Sequence, residues 1–196
     1  MKFTIISASH RNESQTRKVC DHLKAELDRR GHQVTLFDCA ERAIPMWAED
    51  RSGDEWEEWR ALDAELQSSD GLIMATPEWN GMATPQAKNI FILAGQDALG
   101  HKPGLLVSVS AGRGGAYPIA ELRSSSYKNN RVVWIPEHLI VRGVESVFNS
   151  EESESKSDQW IRDRAAFALT HLELYTEALQ GLSERLPREA RFGNGM

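Results

Sequence analysis

Between the apolar run Gly71-Leu72-Ile73-Met74-Ala75 and the pair Lys88-Asn89 lies a loop whose residue types suit a flat heteroaromatic ligand. The loop, Thr76-Pro77-Glu78-Trp79-Asn80-Gly81-Met82-Ala83-Thr84-Pro85, holds one large aromatic ring and one carboxylate. Pro77, Gly81 and Pro85 argue against a helix or a further strand for about ten residues, so the backbone is left accessible. An indole can cover a ring face, while the Asn80 and Asn89 amides and free backbone groups answer the atoms at its edge. Glu78 and Trp79 then shape the face.

A second candidate is Ser7-Ala8-Ser9-His10-Arg11-Asn12-Glu13-Ser14-Gln15-Thr16, between an apolar segment and a helical one. A helix start has unpaired N–H groups and the positive end of the dipole, and together they hold a phosphate. Ser9, Ser14 and Thr16 add hydroxyls, Gln15 stands beside them, and Arg11 adds a bidentate charge. The same loop also reads as a plain N-cap, with Ser14 capping and Arg11 in water. A third stretch, Ser110-Ala111-Gly112-Arg113-Gly114-Gly115, is glycine-rich, and glycines let backbone N–H groups approach a ligand closely. It can equally be a tight turn with no ligand. Arg113 either meets the 2′-phosphate of NADPH or faces water.

These loops need a frame. Lys2–Ser7, with Phe3, Ile5 and Ile6, reads as a first, central strand. Val19, Leu23 and Leu27 recur at helical spacing and mark a helix that Gly31 stops. Gln33–Asp38 is a second strand, which completes a βαβ unit with parallel, right-handed pairing. Residues 39–53 are irregular, with a Trp47 that needs shelter. Asp54–Ser69 is helical, with Trp56, Trp59, Leu62 and Leu66 near one face. A third strand ends at Ala75, Pro85 opens a short helix to Leu93, and Lys102–Ser108 is a fourth strand. A helix is expected from about Tyr117 to Lys128. Val132–Val141 is a fifth strand, and Pro136 puts it at an edge. Ser150–Ser157 is a surface loop. Ile161, Ala165, Ala168, Leu169, Leu172 and Leu179 then mark a long amphipathic helix. Trp56, Trp59 and Trp160 sit at helical spacing and read as core. The sum is a doubly wound α/β sheet in one domain, 1–182, with a polar tail at 183–196.

Composition removes several function classes. At 196 residues, 40% apolar and with a net charge of −6, the chain fits one domain with a real core and carries no basic field for nucleic acid or anionic membrane. No run of eighteen apolar residues is present to span a bilayer, and the first residues turn polar too soon for a signal peptide. Six scattered histidines without paired spacing give no metal site. Cys20 and Cys39 are isolated and read as reduced thiols in a reducing, cytoplasmic setting. A hydrolase elbow G-x-S-x-G, a P-loop and a Rossmann G-x-G-x-x-G are all missing. Glu57 and Glu58 read as a solvated helix face.

The first loop and Thr76–Asn89 carry a resemblance. The latter is similar to the T-P-E-Y-N and L-K-N signature of the NAD(P)H-dependent FMN reductases, flavodoxin-like proteins that include quinone and azo-dye reductases. Trp79 stands for the usual Tyr and Ala87 for the usual Leu. The loop at Ser7–Thr16 resembles the family's G-S-x-R-x-x-S phosphate loop, with Ala8 for Gly. The resemblance implies a flavodoxin-like, five-stranded parallel sheet and an FMN-containing oxidoreductase. Ser9, Arg11, Ser14, Gln15 and Thr16 would hold the phosphate. Pro77, Glu78, Trp79, Asn80 and Gly81, with Ser110, Gly112, Gly114 and Gly115, would meet the ring. NADPH or NADH would be the co-substrate, and a small-molecule electron acceptor would follow in a ping-pong cycle. With the chemistry carried by the flavin, no side chain is expected to act as a catalytic acid or base. A homodimer or homotetramer is implied. Two alternatives stand beside this reading: a flavodoxin-type electron carrier, and a relative that kept the fold but lost the cofactor.

Overall fold

The computed structural model describes residues 1–187, 189 and 191. Five strands form one parallel sheet: β1 (Lys2–Ser7), β2 (Gln33–Asp38), β3 (Gly71–Pro77), β4 (Pro103–Ser110) and β5 (Val133–Arg142), in the order β2-β1-β3-β4-β5. The helices are α1 (Gln15–Arg29), α2 (Glu57–Ser68), α3 (Pro85–Leu93), α4 (Gln96–Leu99), α5 (Ala116–Ser125), α6 (Lys156–Leu179) and α7 (Leu182–Arg185). Strand side chains alternate between two cores, as the pleat requires. Ile5, Ile73, Leu105 and Leu139 pack with Val19, Leu23 and Leu27 of α1 and Leu169 and Leu172 of α6. Ile6, Leu72, Met74 and Leu106 pack with Trp59, Leu62 and Leu66 of α2, Ile90 of α3 and Leu122 of α5.

The doubly wound, flavodoxin-like sheet is as expected, and several local expectations are corrected. β1 is interior, but β3 is the central strand. β3 runs on through Pro77, which is tolerated because its carbonyl side and the register with Val109 continue the ladder. α4 carried no periodicity long enough to read. α5 ends at Ser125 rather than Lys128, where the hydroxyls of Ser124, Ser125 and Ser126 turn back onto the carbonyls of Glu121 and Leu122. β5 is an edge strand; its register with β4 shifts between Gly104 and Leu106, opposite the exposed Pro136. Trp56 and Trp59 are core, but Trp160 is 64% exposed and Trp47 53%. Trp160 lies one residue before the buried phase set by Ile161 and Ala165, which rotates it to the outer side of α6. The expected tail begins with the helical turn α7, and residues 188, 190 and 192–196 of it lie outside the described residues.

The thiols of Cys20 and Cys39 are buried and free. Burial pushes Cys20 up and Cys39 to about 12, so neither supplies a thiolate at neutral pH.

The start of α6 is held by a buried carboxylate. Asp158 accepts from the N–H of Phe148 at 2.9 Å, the N–H of Glu154 at 3.1 Å and Nε of Arg162 at 3.1 Å. Burial alone would raise its pKa; the two N–H groups and Arg162 outweigh that and hold it below the usual carboxylate range. A depressed carboxylate contributes stability above its unfolded pKa and loses it as pH falls through the folded one. Asp158→Asn is therefore expected to cost about 3 kcal/mol at pH 7, because it strands Arg162 and turns amide hydrogens on N–H donors. Urea melts at neutral pH and below about pH 4 check this, since the gap between wild type and variant should shrink in acid.

Candidate active site

In an open parallel sheet the crossovers from neighbouring strands leave a crevice where they diverge, beyond the carboxyl ends. Here β1 leads to β2 on one side and β3 leads to β4 on the other, so the divergence falls between β1 and β3. A cleft of about 250 Å3 opens there, lined by Ser9, Arg11, Asn12, Glu13, Ser14, Gln15, Thr16, Pro77, Glu78, Trp79, Val109, Ala111, Val144 and Glu145.

The first wall is the turn from β1 into α1. Ser14 caps α1, its Oγ accepting from the N–H of Arg17 at 3.0 Å. The N–H groups of Gln15 and Thr16, in the first turn, have no intrahelical acceptor. Ser9 and Thr16 are each 1% exposed, so their hydroxyls are fixed in the wall. The Arg11 guanidinium has no ion-pair partner among the described residues. Arg17 is committed elsewhere, to Asp21, Asp38 and Glu41 at 2.9 to 3.0 Å. Hydrogen bonding to Asp21 leads the causes that raise its pKa. Arg11 is thus the cation this loop offers to an anion. The Ser14 cap is present, and it leaves the first-turn N–H groups of Gln15 and Thr16 open toward the cleft side of the turn.

The second wall is a tight hairpin instead of the irregular loop expected after Ala75. Trp79 and Met82 exchange both backbone hydrogen bonds at 3.0 Å, around Asn80 (φ 50°) and Gly81 (φ 73°). Positive φ at both central residues with an Asn-Gly pair is the signature of a type I′ turn. Trp79 lines the cleft, with the His10 ring 6.1 Å from its own. Asn80 and Gly81 form the exposed tip and do not line the cleft. Asn89, expected to answer a ligand edge, is fully buried. Its Nδ2 donates to Pro45 O at 2.8 Å, and its Oδ1 accepts from the N–H of Trp47 at 2.9 Å. Lys88 pairs with Glu121 at 2.9 Å, which also accepts from the N–H of Ala83. In the second half of the signature Lys88 is thus tied to the hairpin through Glu121, Asn89 holds the Pro45–Trp47 segment, and neither lines the cleft.

The third loop meets the second through Glu78. Its Oε2 accepts from the N–H of Gly115, and its Oε1 is buried with no hydrogen-bond partner among the described residues. Glycine is required at position 115, and at position 114 a side chain would displace the Glu78 carboxylate. A Cβ on Gly114 would stand 2.1 Å from Glu78 Oε2; Gly115 has φ +101°, and a Cβ there would meet Ile140 Cγ2 at 2.5 Å. The Gly115 N–H, expected to face a ligand, is thus taken by Glu78. Of this loop Ala111 lines the cleft, while Ser110, Gly112, Gly114 and Gly115 are not among its lining residues. Arg142 Nε donates to the carbonyls of Arg113 and Gly114 at 2.8 Å, and the N–H of Gly143 donates to Gly112 O at 3.0 Å. Val144 and Glu145 complete the rim and were not foreseen. Nothing in their residue types signals a site; the turn after β5, with Gly143 at φ +56°, brings them there, and Lys18 Nζ pins Val144 O at 2.8 Å.

The donor set fits FMN. Unpaired N–H groups at a helix start, buried hydroxyls and a free guanidinium match a phosphate dianion. An indole matches the ring, and an orphaned buried acceptor, Glu78 Oε1, calls for an N–H from a ligand. A larger hollow of about 820 Å3 beside α1 is no rival: Arg17–Asp21 and Arg29–Glu26 there are already paired, so few donors converge. No group of three or more His, Cys, Asp or Glu placed to hold a metal ion occurs among the described residues, and no helix among them is long and apolar enough to cross a membrane.

Comparison with known proteins agrees. An NADPH azoreductase of Bacillus sp. (strain OY1-2) is 22% identical over 144 residues, 74% of this chain and 78% of that one. A 2-hydroxy-1,4-benzoquinone reductase of Burkholderia sp. is 28% identical over 116 residues, 57% of this chain and 62% of that one. Among solved structures, the flavoenzyme NAD(P)H:(acceptor) oxidoreductase of Paracoccus denitrificans superposes with a TM-score of 0.73 at 20% identity, over 91% of this chain and 98% of that one. Flavodoxin 1 of Bacillus cereus gives 0.55 at 14% identity, over 88% and 98%, which is a likeness of fold. The family model for NADPH-dependent FMN reductase matches residues 1–145, and the chain belongs to that family: it is an oxidoreductase whose cofactors are FMN and a reduced nicotinamide.

Proposed function

We propose that the cleft binds FMN with its phosphate on the β1–α1 turn and its ring beside Trp79, and that the enzyme passes electrons from NADPH or NADH to a quinone, an azo compound, free flavin or a similar small acceptor in a ping-pong cycle. The observation that carries the reading is the convergence of Arg11, Ser14, Trp79 and Ala111 on one cleft at the carboxyl ends of β1, β3 and β4. When bound, FMN supplies the redox step by taking hydride from the nicotinamide and handing electrons to the acceptor.

The chain's own groups bind and orient. The first-turn N–H groups of Gln15 and Thr16, with Arg11, neutralise the phosphate. Trp79 sets the ring plane. Pro77 and Glu78 close one edge, with the Glu78 carboxylate fixed by the Gly115 N–H. At about 250 Å3 the cleft is smaller than the usual 300–1,000 Å3 of small-molecule sites. It therefore grips FMN without enclosing it and leaves a face on which donor and acceptor can take turns. Asn80 and Gly81 at the hairpin tip stand near that face. So does Tyr117, whose ring carbon lies 3.8 Å from where a Cβ on Gly81 would stand. Exposed Met82 and Tyr117 at this rim support the reading that two subunits meet near the site, as a homodimer. The cytoplasm is the proposed location, in keeping with free buried cysteines.

Arg11→Ala is expected to weaken FMN binding about 10- to 100-fold, the size of a lost charge-assisted hydrogen bond to phosphate. Fluorescence titration with FMN checks it, and unchanged affinity would move the phosphate elsewhere. Asn89→Ala should behave differently: a loss of about 2 kcal/mol of stability in urea melts from unsatisfied groups at Pro45 and Trp47, with FMN affinity changed by less than about threefold. Mixing the FMN-loaded protein with NADPH without oxygen tests the reaction: a reductase bleaches its flavin absorbance, an electron carrier leaves it yellow, and a cofactor-free relative takes up no FMN.

A further inference from the structure

Two guanidinium groups meet at the third loop, and the fold leaves both without a counter-charge. Arg113 is exposed, and its side chain has no ion-pair partner among the described residues. Arg142, at the end of β5, is exposed too, yet it is fixed in place. Its Nε donates to the carbonyls of Arg113 and Gly114, both at 2.8 Å. The N–H of Gly143 donates to Gly112 O at 3.0 Å and holds the same two segments together. Only Nε of Arg142 is used by these bonds. The N–H donors on its two Nη atoms have no partner among the described residues, and they form the planar fork that matches a phosphate.

The opposite side of the rim is charged against a second phosphate. Glu13 and Glu145 line the cleft there and are exposed. Glu145 lies close enough to Lys18 of α1 to favour its charged form. The cations on that side are committed. Arg17 pairs with Asp21, Asp38 and Glu41, and Lys18 Nζ donates to Val144 O and Asn149 Oδ1. The hairpin tip, Asn80-Gly81, is uncharged. Arg11 belongs to the phosphate of FMN. Ala111 lines the cleft two residues before Arg113, so the free arginine pair stands beside the rim at the third loop.

We propose that Arg113 and Arg142 bind the 2′-phosphate of NADPH and make this chain select NADPH over NADH. The assignment rests on FMN occupying the cleft. With FMN held there, the nicotinamide has to reach the ring, and the rest of the coenzyme passes out over the rim. The two coenzymes differ only in the 2′-phosphate. Selection therefore needs a contact made to that group alone, and two unpaired guanidinium groups supply it. Of the relatives compared above, one is named for NADPH and another for either coenzyme, so the choice rests on each chain's own residues.

Calorimetric titration of the FMN-loaded protein with adenosine 2′,5′-bisphosphate and with 5′-AMP reads the site without turnover. The bisphosphate should bind at least about tenfold tighter, and added salt should narrow the gap. Arg113→Ala and Arg142→Gln should each remove most of the gap. Arg113→Glu should make the bisphosphate the weaker ligand. In turnover Arg113→Ala should raise the KM for NADPH at least about tenfold and leave that for NADH within about twofold. Wild type that takes up FMN but binds the two nucleotides equally overturns this site and leaves the cleft reading intact. A chain that takes up no FMN overturns the cleft reading, and this one with it. A preference that survives Arg113→Glu also overturns the proposal. So does an Arg113→Ala effect confined to turnover of an anionic acceptor such as anthraquinone-2-sulfonate, which would give the arginine pair to the acceptor.

Discussion

Two buried hydrogen bonds fasten the two principal walls of the cleft to each other, and a third braces the second wall. Thr84 Oγ1 donates to Ala8 O at 2.7 Å, the N–H of Ala8 donates to Ala75 O at 2.8 Å, and the N–H of Thr84 donates to Thr76 Oγ1 at 3.2 Å. Ala8 stands at the mouth of the phosphate-type turn, Thr76 at the end of β3, and Thr84 at the N-cap of α3. Ala8, Thr76 and Thr84 are fully buried, so these bonds are made in a low dielectric, where leaving any one unmade is costly. They hold the start of the β1–α1 turn against the end of β3 and the start of α3.

The pairing also explains how the glycine at the start of the family's first loop can be replaced. Ala8 is buried with both its backbone groups bonded, and it is not among the residues with positive φ. A methyl group there therefore needs no left-handed backbone and takes no ligand space. The turn's one non-glycine in the left-handed region is Glu13, φ 50°, at the rim. In the third loop the constraint is opposite: Gly114 is crowded by the Glu78 carboxylate, which reaches into that turn, and Gly115 by Ile140. Glu78 joins hairpin to third loop as Thr84 joins hairpin to first loop.

Much of this was legible from residue patterns. Strands showed as short apolar runs between turn residues, and the order of strand and helix dictated a doubly wound sheet. The first loop and Pro77–Trp79 stood out as candidates for their serines, guanidinium and indole, and the fold brings both to one cleft. What could not be read depended on tertiary partners. Asn89 looked like a ligand-facing amide, yet it clamps the Pro45–Trp47 segment from 42 to 44 residues away. Trp160 shares the helical spacing of a core residue but misses the buried phase by one position. Val144 and Glu145 reach the cleft only through the turn that closes β5. The hairpin at Asn80-Gly81 was visible as an Asn-Gly pair, and the flanking prolines masked it.

A structure of the protein crystallised with FMN tests the central claim most directly. The account predicts the phosphate against Ser9, Arg11, Gln15 and Thr16, the ring beside Trp79, and a ring N–H on Glu78 Oε1. FMN lodged in the hollow beside α1, or bound with its phosphate away from Arg11, would contradict it.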